Sequence, residues 1–359
     1  MKVKISDAEL IQAWKNGTPA QDIAAQYGIT MRQVYSRRAK IERDTGEVLQ
    51  ATVTRKFGIP FDRTPLENPA TKALYQSPTR LHQDLQTGTV IIFSDAHYWP
   101  GIESTAHRAL VHLVRELKPK MVIGNGDIFD MASPSHWGRR DFSPVPNVRQ
   151  EIEACQERLG EIEAVAPKGC RLVRTIGNHC IRFTKKLVSV AAEFEGLKGF
   201  ALTDHFPKWQ ECWSIHVNPD SQGWTEIKHR WKSGMHSSFN NAKESSVHYA
   251  TGHDHALRVQ EFTNRRGTWY GINSGTLADP EGPQFGYSED SPANHRSGFA
   301  VLTYHKGLLL RPSICKVMDE NTVDFERQVI KVKPCRRSFA SSWRWHAFRS
   351  SSSSHAQRC

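Results

Sequence analysis

Five short polar clusters in this chain carry residues that can bind a metal or move a proton. They are Asp95-Ala96-His97, Gly126-Asp127 with Asp130, Gly177-Asn178-His179, His229, and Gly252-His253-Asp254-His255. Aspartate and asparagine offer oxygen donors and histidine an imidazole nitrogen, a set that suits Mn²⁺, Fe or Zn²⁺. Two such ions about 3.5–4 Å apart share a carboxylate and clamp a phosphoryl group in line, and Asp127 is the natural bridge. The glycines beside Asp127, Asn178 and His253 permit tight turns and close backbone approach. Each cluster is commonplace by itself, since a histidine near a strand end is often only a hydrogen-bonded surface group. Their order, each behind a strand, is what points to a site.

The elements that must position these clusters are legible from periodicity. Thr89–Phe93 is a continuous β-type run and Met121–Ile123 another; Arg171–Ile176 reads as a third strand. Between them, Thr105–Leu117 is an amphipathic helix with Ala109, Leu110, Leu113, Val114 and Leu117 on one face. Val148–Val165 and Ile181–Phe194 also read as helices. Strand and helix in alternation are the signature of an α/β fold. Beyond residue 200 the pattern turns to short strands: Trp213–Val217, Thr225–Lys228, Val247–Thr251, Leu257–Phe262, Thr268–Ile272 and Gly298–Tyr304. In open α/β sheets ligands bind off the carboxyl ends of strands, so the five clusters are expected to converge on one edge.

With these motifs the chain resembles the calcineurin-like metallophosphoesterases, which share D-x-H…G-D-x-x-D…G-N-H-[D/E]…H…G-H-x-H. The resemblance covers roughly residues 88–310. It extends to phage-encoded members that carry an N-terminal helix-turn-helix, and Gly275-Thr276-Leu277-Ala278-Asp279 through Ser297-Gly298-Phe299 is also similar to theirs. The fold this implies is a two-sheet α/β/β/α sandwich with a small all-α N-terminal domain. The implied cofactor is a pair of divalent ions, Mn²⁺ first, with Fe or Zn²⁺ as alternatives. Carried over by motif, Asp95, His97, Asp127 and His255 hold one ion, and Asp127, Asn178, His229 and His253 the other. His179 then protonates the leaving oxygen or stabilises the transition state, and Asp130 orients it through the far ring nitrogen. His236 is the alternative to His229, as a metal or phosphate contact; His229 is favoured because it directly ends a strand. His248 reads as a structural strand residue. Two positions depart from the family pattern. Cys180 stands where Asp or Glu usually follows the G-N-H. Met131 stands where the phosphoprotein phosphatases of this superfamily have an arginine that grips phosphate, which points toward diesters.

Residues 1–45 read as three short helices. Ser6-Asp7-Ala8-Glu9 is a capping-box pattern, Thr18 and Pro19 open a second helix, and Thr30 caps a third that runs to about Arg43. Asp22–Val34 fits a helix-turn-helix, with Ala24 at the helix crossing and Gly28 in the turn. Arg32, Arg37, Arg38 and Lys40 on the third helix are the candidate DNA contacts. The competing reading is a protein-docking module whose charges form a solvated face. Residues 46–87, rich in proline and glycine, read as a linker, 88–335 as the catalytic domain, and 336–359 as a basic serine-rich tail expected to be disordered.

The whole chain has 359 residues, 38% apolar, with a net charge of +11. Residues 1–60 and 331–359 hold the whole excess of base, while the middle is neutral, so attraction to nucleic acid belongs to the ends. No apolar run approaches the ~20 residues of a membrane helix. The start MKVKISDAEL has no apolar core of a signal peptide. The 7 cysteines include no C-x-x-C pair. These features exclude a disulfide framework and a zinc knuckle, and lead us to expect a cytoplasmic protein, in the host cytoplasm if phage-encoded. The function expected is hydrolysis of phosphodiester bonds in nucleic acid by a metal-activated water. The alternatives are a phosphomonoesterase or small-nucleotide phosphodiesterase, and a DNA-binding regulator with an inactive phosphoesterase domain.

Overall fold

The computed structural model describes residues 5–16, 18–45, 49, 79–135, 142–288 and 293–334. The tail 336–359 and most of the linker lie outside the described residues. The chain divides into two units, Met1–Leu74 and Tyr75–Cys359.

The first unit is three helices, α1 (Asp7–Lys15), α2 (Ala20–Tyr27) and α3 (Met31–Thr45). Ser6 and Glu9 close the expected capping box on α1, with the Glu9 amide donating to Ser6 Oγ and the Ser6 amide to the Glu9 carboxylate. Thr30 and Gln33 do the same for α3. Gly28, at φ 64°, makes the left-handed turn between α2 and α3. Leu10, Trp14, Ile23, Ala24, Val34 and Ile41 form the core of this unit. One detail differs from expectation: α2 starts at Ala20, with Pro19 rather than Thr18 as its cap. The Pro19 carbonyl receives the amides of Asp22 and Ile23, and no side chain caps this helix.

The second unit is two sheets packed face to face between helices. The nine-stranded sheet runs β15-β14-β13-β11-β2-β3-β4-β5, with β12 paired to β11. Its centre is β2 (Gly88–Phe93), β3 (Met121–Asn125) and β4 (Arg171–Thr175), mutually parallel. Parallel neighbours need crossovers, and α4 (Thr105–Leu117) and α5 (Val148–Val165) supply them. The rest of this sheet is β5 (Gln210–Cys212), β11 (Gly298–His305), β12 (Leu308–Leu309), β13 (Ser313–Val317), β14 (Thr322–Phe325) and β15 (Gln328–Lys331). The six-stranded sheet has the order β1-β6-β7-β8-β10-β9. Its strands are β1 (Arg80–Gln83), β6 (Ser214–Val217), β7 (Thr225–Lys228), β8 (His248–Thr251), β9 (Leu257–Asn264) and β10 (Gly267–Ser274).

The period of two along β2 sorts its side chains between two cores. Ile91 and Phe93 pack with α4 and α5, while Val90 and Ile92 meet Ile215, Ile227, Ala250 and Ile272 of the other sheet. A strand buried on both faces reads as an unbroken apolar run, which is why Thr89–Phe93 is so plain in the sequence. Each buried Ile contributes about 1.5–3 kcal/mol. Helix α8 (Ser237–Ser245), which follows α6 (Cys180–Val190) and α7 (Leu202–His205) in the chain, packs against β8, β9 and β10. Gly271 on β10 faces the backbone of Ser238, on the opposite side of the sheet from Ile272. The layers are therefore α/β/β/α, as the motif resemblance implies.

Three expectations are corrected. Residues 80–83, assigned to the linker, form β1, parallel to β6. The segment is a polar edge strand, Arg-Leu-His-Gln, in which alternation leaves only Leu81 and Gln83 partly buried. The helix expected over 181–194 is α6 (Cys180–Val190) followed by a single 3₁₀ turn, Ala192–Phe194. The strand expected at Trp213–Val217 is the junction of β5 and β6, and the chain changes sheets at Trp213, whose amide bonds Thr79.

Candidate metal centre

The five polar clusters leave the carboxyl ends of β2, β3 and β4 in one sheet and β7 and β8 in the other. Asp95, His97, Asp127, His253 and His255 all have positive φ, at 50°, 40°, 48°, 69° and 54°. A left-handed non-glycine residue costs of order 1–2 kcal/mol, so five in one site mark a backbone held in a strained shape by its surroundings. Bonds between the loops supply the hold. Asp95 N donates to Gly126 O (3.0 Å), His97 N to Asp127 O (3.1 Å) and Gly252 N to His229 O (2.9 Å). Carboxylates add to them: Asp127 Oδ1 accepts from His179 N at 2.7 Å, and Asp95 Oδ2 from His253 N at 2.8 Å. Gly177 packs against Asp127 so closely that a Cβ there would overlap its carboxylate and amide.

The ligand-type side chains gather into two groups. Asp95, His97 and His255 form one; Asp127, His229 and His253 form the other; within each, the donor atoms lie within 4.8 Å of one another. A third set, His97, Asp127 and His179, ties the two together through shared members. Asn178 completes the second group, its Oδ1 3.1 Å from His229 Nε2. All seven predicted ligands are thus in one place. His236 is exposed at the start of α8 and stands outside these groups. His248 is a buried strand residue whose Nδ1 accepts the Tyr270 amide.

The electrostatics of the cluster fit divalent cations. Burial alone would raise the pKa of Asp127, yet His229, His179 and His97 drive it far below the carboxylate range. Asp95 is likewise lowered, with His255 and His229 outweighing its complete burial. His229 donates Nδ1–H to Asn125 O at 2.8 Å, which turns Nε2 toward Asp127 Oδ2 at 3.1 Å. Burial opposes its protonation, but Asp127 and Asp95 raise its pKa to about 9, so a proton balances the carboxylates there. His97 Nε2 is buried with no hydrogen-bond partner, and buried Asp95 Oδ1 has His255 Nε2 at 3.2 Å. Buried polar atoms are rarely left unpaired, and His97 Nε2 lies in the same ligand group as Asp95 and His255. Carboxylate and imidazole donors of this kind, with the unpartnered His97 Nε2 among them, match an O/N site for Mn²⁺, Fe or Zn²⁺.

Around the ligands sits a second set of residues. Asp130, expected to orient His179 alone, instead shares its carboxylate. It lies 3.0 Å from His97 Nδ1 and 3.3 Å from His179 Nδ1, and its own carbonyl is 2.8 Å from the same His179 nitrogen. The carboxylate–histidine pairing at His97 fixes its tautomer and leaves Nε2 free as a ligand. For His179, burial disfavours the charged ring, while the Asp130 bond and Asp127 favour it and win, raising its pKa. Met131 is fully buried and points into the core, so it is not a site residue; its amide is held by Glu151. Cys180 is buried in the helix-facing core, where its thiol pKa is pushed up to about 11 by desolvation.

Three features escape the sequence reading. Arg182, one turn after His179 on α6, donates from Nη1 to Asp130 O (3.0 Å) and from Nη2 to His179 Nε2 (3.1 Å). His295 approaches His255, ring nitrogen to ring nitrogen, at 3.2 Å. Phe285 and Tyr287 join Trp99 in lining a cavity of about 470 Å³ that opens on Asp127, Asn178, His179 and His253. The i, i+3 spacing from His179 could have found Arg182; nothing local marks the other two.

On the first unit, Arg37 pairs with Asp7 at 2.7 Å, and Arg38 pairs with Glu42 at 2.9 Å while lying over the Trp14 ring. Arg32 and Lys40 are exposed. The outward stripe of α3 is Arg32, Tyr35, Ser36, Ala39, Lys40 and Arg43.

No family model matches the chain, and no curated protein sequence matches it. Among solved structures it is similar to Vps29 from Entamoeba histolytica complexed with Zn²⁺, at 10% identity and TM-score 0.35, over 68% of this chain and 99% of that one. It is also similar to Vps29 from Chaetomium thermophilum, at 10% identity and TM-score 0.36, over 68% and 99%. A dimetal phosphatase from Danio rerio is similar at 12% identity and TM-score 0.32, over 69% and 100%. At TM-scores below 0.5 these likenesses say nothing of this chain's chemistry.

Proposed function

We propose that this chain is a calcineurin-like, metal-dependent phosphoesterase that hydrolyses phosphate ester bonds of nucleic acid, with residues 1–45 as its DNA-binding unit. The observation that carries the catalytic reading is the convergence of seven O/N donors from five strand ends, with His97 Nε2 buried and unpartnered. Asp95, His97, Asp127 and His255 would hold one ion, and Asp127, Asn178, His229 and His253 the other. A divalent pair supplies Lewis acidity toward the phosphoryl group and activates water near neutral pH. The chain's own part is to fix these donors and to move a proton. His179, held through Nδ1 by Asp130, lines the cavity, and with Nε2 released from Arg182 and protonated it can protonate a departing oxygen there. The exposed stripe of α3, with Arg32, Lys40 and Arg43, supports the DNA reading, since a recognition helix presents such a face to phosphates and base edges.

The diester preference expected from Met131 assumes that no arginine reaches the phosphate. Arg182 brings a guanidinium to the cavity from another element, and this favours a second reading in which the ester is terminal.

Purified protein loaded with Mn²⁺ should hydrolyse p-nitrophenyl phosphate, bis-p-nitrophenyl phosphate or nucleic acid, stop with chelator and recover with metal. Asp127→Asn should lose metal by mass spectrometry and lose turnover with it. Wild-type turnover in excess EDTA, or in Asp127→Asn, would sink the reading. DNA binding without hydrolysis of any ester by the fully metallated protein would select the inactive regulator instead.

A further inference from the structure

We propose that Arg182 grips the phosphoryl oxygen that a terminal phosphate has and an internal diester lacks, so that this site prefers phosphate monoesters such as a nucleic-acid end. The inference rests on the phosphoesterase reading above and names its substrate class.

Arg182 is half-buried and lines the same cavity as Asp127, Asn178, His179 and His253. Its two hydrogen bonds, to Asp130 O and His179 Nε2, use two of the five N–H groups of a guanidinium. Neither acceptor is an anion. Among the described residues no carboxylate lies within 4.0 Å of it, whereas Arg108, Arg158, Arg174 and Arg258 each have one at 3.6, 2.7, 2.6 and 3.8 Å. A partly desolvated cation without a counter-ion is costly unless an anion arrives to pair with it. The wall of a phosphoester cavity is where that anion would be. The three remaining N–H groups can donate to a phosphate oxygen with a charge-assisted bond. The guanidinium is also stiffly mounted: its stem rises from a helix and its head is anchored on a backbone carbonyl.

The specificity follows from the number of oxygens and the charge. An internal diester has two non-bridging oxygens and one negative charge. A monoester has three such oxygens and up to two charges. Where the donor cluster takes two of the non-bridging oxygens, a diester has none left for Arg182 and a monoester has one.

The competing role for Arg182 is positioning, because its Nη2 bond orients His179. The two roles separate on p-nitrophenyl esters, whose leaving group needs little protonation. Arg182→Ala and Arg182→Lys should be compared with wild type as Mn²⁺-loaded protein, with metal content and circular dichroism checked for each. The readouts are kcat/KM on p-nitrophenyl phosphate and on bis-p-nitrophenyl phosphate, and the affinity for inorganic phosphate by calorimetry. Removing a charge-assisted hydrogen bond should weaken phosphate binding and monoester turnover by about 10- to 100-fold in Arg182→Ala. Diester turnover should change by no more than about threefold, and Arg182→Lys should recover part of the monoester loss. Unchanged phosphate affinity and unchanged p-nitrophenyl phosphate turnover would reduce Arg182 to a positioning residue and overturn the proposal. Equal losses on both esters would overturn the preference. If metallated wild type turns over neither ester, the phosphoesterase reading fails; phosphate calorimetry on the variants still tests the grip alone.

Discussion

Asp130 shows how one carboxylate can serve two imidazoles with different tasks. At 3.0 Å from His97 Nδ1 it orients a metal ligand, and at 3.3 Å from His179 Nδ1 it supports a proton donor. Both histidines pull its pKa well below the usual carboxylate range, against the effect of burial, so it is ionised at neutral pH. The two substitutions His179→Ala and Asp130→Ala should therefore not be equivalent. His179→Ala should keep its metal and lose about 10²–10⁴-fold in kcat on esters with poor leaving groups. Asp130→Ala should lose rate and also release metal more readily, because removing such an outer partner costs about 10–100-fold in metal affinity. Metal content after graded chelator, measured beside kcat, checks this. Equal metal retention in the two variants would mean that His97 does not depend on Asp130.

At the level of elements, the strand ends are legible because each motif sits directly behind its strand in the chain. Phe93 and Asp95, or Thr251 and His253, are two residues apart, so a pattern of apolar run, one small residue and donor announces the site locally. What stays hidden is contributed across elements. His295 reaches His255 from 40 residues away, β1 is a polar edge strand with no pattern of its own, and Glu151 acts from α5 on the loop after Asp130. Glu151 is fully buried, and its two oxygens accept the amides of Met131, which has φ 50°, and Ala132. Desolvation outweighs those bonds and pushes its pKa up from 4.5 to about 7. Between these values the folded chain binds this proton more tightly than the unfolded chain does, so stability is lost as pH rises through about 7. Glu151→Gln cannot titrate. It should start less stable by about 1–3 kcal/mol, because its amide group faces the Ala132 amide in place of an acceptor. Its thermal midpoint should then fall less than that of wild type between pH 5.5 and pH 8. Parallel melting curves over that range would show that Glu151 is already ionised at low pH.

At the scale of the whole molecule, chemistry and charge are kept apart. The donor cluster lies within residues 61–330, where bases and acids balance, while the excess of base lies toward the ends of the chain. A neutral catalytic stretch gains little from long-range attraction to a polyanion, so affinity for DNA should come from the basic helix α3. Which cations matter most is decided by the pairs already made. Arg37 and Arg38, candidates from the sequence, are tied to Asp7 and Glu42, and a side chain that must break an ion pair to reach a phosphate gains less from it. Arg32 and Lys40 are exposed on the outward stripe of α3, eight residues apart and therefore on one face. In the full-length protein, Arg32→Ala with Lys40→Ala should weaken DNA binding and lower the log–log salt slope by about 0.9 for each phosphate no longer neutralised. Hydrolysis of p-nitrophenyl phosphate should be unchanged, since neither residue is near the donor cluster in sequence or belongs to its unit. Arg37→Ala with Arg38→Ala should instead lower the melting temperature of the helical unit, because the Asp7 pair and the stacking on Trp14 are removed, with a smaller change in salt slope. Salt titrations of duplex binding for the two double variants decide between them. If the Arg37 and Arg38 pair carries the larger slope, those ion pairs open on DNA and the tied cations bind the phosphates. If neither pair changes the slope, the three helices dock something other than DNA.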